Sequence, residues 1–331
     1  MKRVGYLYER VIDYDNIVGA MADYDRKRSV DRRRGIDCKL AWDLKRRMTE
    51  DFKSVIGKPM MKTIREYGKE RQLEIPSYES CIAQLALWRV CEPYVDKRIH
   101  GQSFSSRKGY GGFKAAKKCE RFVHQNSNGN AKYCLYFDVR KFYQHIRKDV
   151  VMECLGRIFK DRRVLGMFHD VVYSTEVGLP IGYQFSHALA NLYLVPLYYE
   201  IVGIRGVSKA YVYMDNWTVF SRYKKSLHKA HDVAERWLSE RGCSIKDDWQ
   251  LFPTAARDVK ICGFKVSHGQ TCLYDGNWKR TLKDFRKAER GDDSALLSMQ
   301  SRRGWLRSIN REFSVEFKTK DGKYLWQTNG R

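Results

Sequence analysis

The chain has 331 residues, 43% of them hydrophobic, and sets 63 Lys and Arg against 39 Asp and Glu for a formal net charge of +24. That apolar content is ample for a folded core of one or two domains and excludes a disordered chain, while a charge so far beyond the needs of solubility points to a polyanionic partner, nucleic acid before a membrane surface. Nine cysteines with no Cys-x-x-Cys pair exclude a disulfide framework and a zinc ribbon, and fit a reduced cytoplasm.

Met1-Lys2-Arg3-Val4-Gly5-Tyr6 has no apolar h-region, so no secretory signal is expected. Residues 1–75 read as helical and crowded with cations: Arg26-Lys27-Arg28, Arg32-Arg33-Arg34 and Lys45-Arg46-Arg47. Such clusters favour phosphate backbones without reading base sequence. A helix is expected from Ser77 to about Tyr94, with Cys81, Leu85 and Trp88 along one broad apolar face. The segment Ser103–Lys114 is rich in glycine and hydroxyls. Its backbone N–H groups, with Arg107 or Lys108, can meet phosphate oxygens, although an ordinary surface loop has the same composition. Its pattern is not that of a Walker P-loop.

Tyr133–Asp138 is an apolar strand that ends on an acid, and a helix is expected through Asp149 to Phe159. Residues 178–199 carry no Asp, Glu, Lys or Arg and by length alone would admit a membrane span. Pro180, Gln184, His187, Asn191 and Pro196 interrupt the run, so a helix buried in the core is expected and no membrane partner. Tyr211–Phe220 reads as two short strands meeting at a tight turn on Asp215-Asn216. Alone that is an ordinary hairpin. With Asp138 at the end of another strand, two strand-borne carboxylates could share a metal. A helix over 225–241 follows, then Cys243–Lys246, a strand over Val259–Val266, and a basic helical region from Trp278 to Asn310. His228 and His231, one helical turn apart, read as a solvated helix face.

The motifs in this order resemble those of reverse transcriptases. Asp138 with Phe142-Tyr143, then Gly178-Leu179-Pro180-Ile181-Gly182 with Ser186 and Ala190-Asn191-Leu192-Tyr193, then Tyr213-Met214-Asp215-Asn216 are similar to three successive polymerase motifs of that family. Arg107-Lys108-Gly109-Tyr110-Gly111 resembles a fingers motif of the bacterial enzymes, Gly263-Phe264 the primer-grip hairpin, and Gly304-Trp305-Leu306 a thumb motif. The resemblance covers roughly residues 75–310. It implies an α+β, right-hand polymerase fold: a basic helical N-terminal region over 1–75; fingers over 76–132; a palm of antiparallel sheet and helices over 133–268, with part of the fingers inserted after its first strand; and a helical thumb and tail over 269–331. Ile181-Gly182 followed by Ser186 is similar to diversity-generating retroelement enzymes and to the defence-associated (antiphage) reverse transcriptases of bacteria and phages, whereas many other branches carry Gln before that Gly. A stand-alone polymerase core is the expectation.

The resemblance implies RNA-directed DNA polymerisation with two Mg²⁺ ions about 4 Å apart, Mn²⁺ being an admissible substitute. Mg²⁺ takes hard oxygens from a few carboxylates plus substrate phosphates, so Asp138 and Asp215 are expected to bridge the ions, with the Val139 carbonyl as a further ligand. Tyr143 is expected beneath the incoming sugar, excluding a 2′ hydroxyl; the bland reading of that ring is core packing. Arg107 and Lys108 would meet the triphosphate, and Ile181, Gly182 and Gln184 would surround the nascent base pair. Lys246 would give a proton to departing pyrophosphate. Arg32, Arg33, Arg34, Phe264 and Trp305 are expected against nucleic acid. The partners implied are an RNA template or noncoding RNA, the DNA product, dNTPs, and an accessory protein or second copy.

Asn216 departs from the pattern, since most of the family has a second Asp there. One negative charge is lost and one oxygen acceptor kept, so ground-state metal affinity is expected to fall. Two alternatives therefore stay open: non-templated or protein-primed DNA synthesis, and a catalytically silent RNA-binding scaffold.

Overall fold

The computed structural model describes residues 2–66, 69–267, 270–308, 317–318 and 324–326. Its elements in chain order begin with α1 (Tyr8–Val11), α2 (Tyr14–Arg26), α3 (Cys38–Glu50), α4 (Phe52–Ile56), β1 (Met60–Glu66), β2 (Lys69–Ile75), α5 (Tyr78–Asp96) and α6 (Gly112–Asn126). There follow β3 (Tyr133–Asp138), α7 (Phe142–His145), α8 (Lys148–Gly156), α9 (Arg162–Val172), α10 (Ser186–Tyr193), α11 (Val195–Val202), β4 (Val207–Tyr213), β5 (Asn216–Ser221) and α12 (Lys224–Ser239). The chain ends with β6 (Gln250–Pro253), β7 (Val259–Ile261), β8 (Phe264–Ser267), β9 (Gln270–Leu273), α13 (Asp275–Glu289), α14 (Asp293–Ser308) and two short strands, β10 (Phe317–Lys318) and β11 (Tyr324–Trp326). The chain divides into two compact units, one of residues 1–107, 138–201 and 232–247, the other of residues 108–137, 202–231 and 248–331.

The first unit is built on α5. Ser77 starts this helix by accepting the Ser80 N–H at 3.1 Å. Its residues from Ser80 to Leu87 are buried without interruption, so the single apolar face expected from sequence is replaced by burial all round. The helices α2, α3, α4, α9 and α10 pack on it, and Ile17, Met21, Phe104, Phe159, Phe168 and Phe185 are among the fully buried side chains. Residues 60–75 depart from the helical expectation. They form an antiparallel hairpin with Met60 opposite Ile75 and Glu66 opposite Lys69. The many charged residues conceal the alternation, and a hairpin this exposed buries little that a sequence pattern could reveal. Its base is tied to the unit by Glu74, whose N–H donates to the Ile181 carbonyl at 3.2 Å while its Oε2 accepts the Ile181 N–H at 2.9 Å.

The uncharged run from 178 is not one helix but a turn followed by α10 and α11. Pro196 in the first turn of α11 has no N–H to continue the ladder from α10, which enforces the break. Asn191, buried on α10, donates its Nδ2 to the Ser105 carbonyl at 2.8 Å, which supplies a partner for a buried polar group. No helix among the described residues is long and apolar enough to cross a membrane.

The second unit holds a four-stranded sheet in the order β4-β5-β3-β6, with β4–β5 and β3–β6 antiparallel. Phe137 on β3 stacks on buried Trp217 of β5, ring centres 5.6 Å apart, and Phe122 of α6 meets Phe220 edge-on at 5.4 Å. The stretch expected as one strand over Val259–Val266 is two, β7 and β8, folded back at Cys262-Gly263. Both turn residues have positive φ, 51° and 80°, the geometry of a type I′ hairpin turn. Its alternating pattern looked continuous because a two-residue turn leaves the period of two unbroken. β9 completes a three-stranded sheet on which α6 packs. The basic helical region beyond it is two helices: Gly291, at φ +84°, ends α13, and Asp292 starts α14 by accepting the Ser294 and Ala295 N–H groups at 3.0 and 3.1 Å.

Candidate active site

In the first unit, Asp138 closes β3 and pairs with Lys246, whose Nζ lies 2.6 Å from Oδ1. The two backbones run side by side: the Lys246 N–H donates to the Asp138 carbonyl and the Arg140 N–H to the Ser244 carbonyl, both at 2.8 Å. Val139, opposite Ile245 in this bridge, is a non-hydrogen-bonded position, so its own carbonyl is turned away from residues 244–246. Lys246, expected to act on pyrophosphate, thus sits on a carboxylate expected to hold metal.

Past Asp138, Lys141 takes φ +44° and turns the chain into α7, which carries Tyr143. The Tyr143 hydroxyl hydrogen-bonds His187 Nδ1 on α10, and burial pushes the His187 imidazole below its ordinary value, keeping it neutral. The Tyr143 carbonyl accepts the Leu179 N–H at 2.9 Å. A Cβ at Gly178 would lie 2.0 Å from that same carbonyl oxygen, at φ +60°, so only glycine fits. The Gly178–Gly182 motif is therefore moulded onto the Tyr143 backbone. Ile181 is half-buried and clipped to Glu74; burial pushes the Glu74 carboxyl up, against the Ile181 N–H that lowers it. Gly182 is exposed at φ +114°. Gln184 accepts from Lys27 at 3.3 Å through its Oε1.

Arg107 is engaged on several sides. Its side chain is 5% exposed; Nε meets Asp96 Oδ1 at 2.6 Å, and Nη1 donates to the carbonyls of His100 and Ser103 at 2.9 and 3.0 Å. The guanidinium also donates to the Asp96 and Ile99 carbonyls at 3.3 and 3.4 Å, so it braces residues 96–107. Arg32, Arg33 and Arg34 are exposed around a short 3-10 turn, with Arg34 over the Tyr78 ring at 4.4 Å.

In the second unit, Tyr213 pairs with Asn216, so the two central residues of the β4–β5 turn are Met214-Asp215 and not Asp215-Asn216; Asn216 opens β5. Met214 holds φ +58°, a conformation costing a non-glycine residue about 1 kcal/mol or more and concentrated at functional turns. Asn216 is doubly engaged. Its Oδ1 accepts the Tyr136 hydroxyl at 2.7 Å and its Nδ2 donates to Asp215 Oδ1 at 3.2 Å. The carboxylate, an acceptor only, fixes which way the amide faces, and the amide oxygen then accepts the phenol hydroxyl. Tyr136, Tyr213 and Asn216 also line a recess of about 440 Å³ with Gly263, Phe264 and Tyr274, which joins the Asp215 turn to the Gly263-Phe264 hairpin. Lys108 is exposed in this unit. Trp305 is on α14, and its side chain lies outside the described residues.

Residues 58–266 match the family model "Reverse transcriptase (RNA-dependent DNA polymerase)". The chain belongs to the reverse transcriptase family. The family is described as that of RNA-dependent DNA polymerases, and the match begins at the β1–β2 hairpin, earlier than residue 75. A stretch of 108 residues is 30% identical to nuclear intron maturase 1, mitochondrial, of Arabidopsis thaliana, covering 31% of this chain and 14% of that protein. Among solved structures, apo telomerase from Candida tropicalis truncated from its C-terminal domain aligns with a TM-score of 0.51 at 11% identity, over 66% of this chain and 55% of that one. Telomerase from Candida albicans with a fragment of telomeric RNA aligns at 0.52 and 10% identity, over 69% and 47%. The chain spans about half the length of these telomerases and a small part of the maturase, and the structural likeness shows the fold alone, an α+β polymerase fold.

Tyr136, His187 and Glu74 were missed from sequence. Tyr136 was the most accessible of the three, because it precedes Asp138 by one strand period and the half-buried positions of β3 include both.

Proposed function

We propose that this reverse transcriptase polymerises dNTPs with Asp138 and Asp215 as its metal-binding carboxylates, on or with a specific noncoding RNA, in an antiphage defence system or a retroelement. The observation that carries the reading is strand order. Asp138 ends β3, Asp215 immediately precedes β5, and β3 and β5 are hydrogen-bonded neighbours in one sheet of the stretch matched to the family. The donors fit Mg²⁺, being hard oxygens only: two carboxylates, one of them held by an amide donor, and the Val139 carbonyl turned off its ladder. Among the described residues no group of three or more His, Cys, Asp or Glu gathers, and Mg²⁺ in a polymerase needs none, since substrate phosphates complete its shell. When bound, the two ions would activate the 3′ hydroxyl and neutralise the triphosphate.

The remaining roles belong to the chain's own side chains. Tyr143, braced by His187 and by Gly178-Leu179, would press against the sugar and reject a 2′ hydroxyl. Ile181 and Gly182 would border the base pair without the hydrogen bonds that Gln supplies, which supports loose base selection. Arg107 and the exposed Lys108 would meet the triphosphate. Lys246 would hold the Asp138 carboxylate and carry the proton for the leaving group. The Ile181-Gly182…Ser186 pattern supports the retroelement and defence lineages together.

The test is metal-dependent incorporation of labelled dNTPs on an RNA template with a DNA primer, in the presence of cognate RNA recovered by pull-down. Incorporation that vanishes in Asp138→Ala and Asp215→Ala, with folding intact, supports the reading. Asn216 favours one competitor, the silent RNA-binding scaffold, and RNA capture with no incorporation in any version would select it.

A further inference from the structure

The β4–β5 hairpin is electrically lopsided. Between Ile204 and Ala230 the single acid is Asp215, at the turn, whereas Arg205, Arg222, Lys224, Lys225 and Lys229 lie beyond the opposite ends of the strands. At about 3.3 Å per residue, the length of β4 separates the two ends by roughly 20 Å. At the basic end Arg205, Tyr223, Lys225, Ser226 and Lys229 line a recess of about 470 Å³ over Gly206.

The walls of this recess are fixed from within. Ser226 Oγ donates to the Arg205 carbonyl at 2.9 Å, Ser221 Oγ to the Gly206 carbonyl at 2.6 Å, and the Tyr223 N–H to Ser221 Oγ at 2.9 Å. Gly206 holds φ +96°, and a Cβ there would come within 2.5 Å of Ser226 Oγ and 3.2 Å of the Tyr223 ring. Shape is thus set before a ligand arrives, which spares the ordering cost of binding. The cations are not consumed by the fold: Arg205, Lys225 and Lys229 are exposed and, among the described residues, none of them pairs with an acid. Lys225, with Lys224, occupies the first turn of α12, which holds no acid, where positive charge opposes the helix dipole. Tyr223 is 58% exposed beside them.

We propose that this recess binds a segment of single-stranded nucleic acid outside the polymerisation centre, with phosphodiesters on Arg205, Lys225 and Lys229 and the adjoining base stacked on Tyr223. The chemistry is shared by RNA and by displaced DNA product, and it needs no turnover, so it stands apart from the catalytic reading.

Anisotropy of a labelled single-stranded RNA, and of DNA of the same sequence, tests it across a salt series. In Arg205→Gln/Lys225→Gln/Lys229→Gln the slope of log affinity against log salt should become shallower by about 2, from ~0.7 per phosphate contact. Tyr223→Ala should weaken binding about tenfold and Tyr223→Phe should retain it, because stacking needs the ring and not the hydroxyl. A response in the RNA arm alone assigns the site to template or noncoding RNA, and one in the DNA arm alone to product. Unchanged slope and affinity in both arms would overturn the proposal, as would an equal loss in a control trio of exposed lysines, Lys39, Lys53 and Lys58, changed to Gln. Incorporation on a short annealed template–primer should stay at the parent rate in the recess variants; a fall there would refute the separation of the two sites. Absent incorporation in the parent itself would weigh against catalysis while leaving the binding result to decide this site.

Discussion

The two acids assigned to metal binding are held in opposite ways. Asp138 is at the end of a strand with an ammonium 2.6 Å from its oxygen, so its charge is already compensated and its affinity for a further cation is set by competition. Asp215 is on a turn forced through positive φ at Met214 and is met by a neutral amide whose other end holds the Tyr136 hydroxyl. Its carboxylate is oriented by a donor that carries no charge of its own. A second Asp at 216 would add charge but place two carboxylates side by side. The Asn takes the other solution, a pre-set donor geometry at lower total charge, and leaves Asp215 as the one carboxylate of this turn.

The sharpest way to break this comparison is to neutralise each acid in turn. Asp138→Asn and Asp215→Asn should each lower dNTP incorporation by at least about 10³-fold, since several kcal/mol of charge stabilisation are lost, with rates measured on one template–primer. Next in size is Lys246→Met, expected to cut the maximal rate by about 10²-fold through loss of the proton donor while lowering the Mg²⁺ concentration giving half-maximal rate, because the competing cation is gone. An unchanged Mg²⁺ requirement would show that the ion pair does not gate metal binding.

The Asp215 side is tested by smaller effects. Tyr136→Phe removes one hydrogen bond and should slow incorporation about three- to tenfold at limiting Mg²⁺. Asn216→Asp should instead raise the rate at limiting Mg²⁺, and the two changes should be non-additive in a double-mutant cycle because they act on one chain of hydrogen bonds. Ile181→Gln should reduce misincorporation, read by sequencing of products, with little change in rate; equal error frequencies would remove the fidelity argument.

The smallest effect concerns stability. Burial lowers the His100 imidazole to about 3 and pushes His187 down as well. A folded-state value below the unfolded one means that the unfolded chain binds more protons, so stability rises with pH: it is complete above about 6.5 and is lost as pH falls toward the depressed values. The melting temperature should therefore drop between pH 6.5 and 4.5, and less steeply in His100→Phe than in the parent.

What could be read from the sequence followed from strong local signals. Asp138 and Asp215 stood out because each interrupts a run of apolar and aromatic strand residues, and the helix from Ser77 because Cys81, Leu85 and Trp88 fall along one face. The β1–β2 hairpin was hidden because its residues are charged on both faces, leaving no period to detect. The partners of Arg107 were hidden for a related reason. A glycine-rich neighbourhood describes a flexible backbone but not the carboxylate of Asp96, eleven residues earlier, that claims the side chain. The pairing of Tyr136 with Asn216 spans eighty residues, and no local pattern encodes a contact of that separation.

The contact between Gly178 and the Tyr143 carbonyl reaches beyond local packing. With 2.0 Å between that oxygen and any added methyl group, residue 178 is a lever on the height of the phenol ring. Ala there would push on the Tyr143 backbone without altering a single atom of the tyrosine. With Tyr143 in its proposed role against the sugar, an engineer seeking to admit ribonucleotides or bulky sugar analogues could work from this glycine and leave the ring in place.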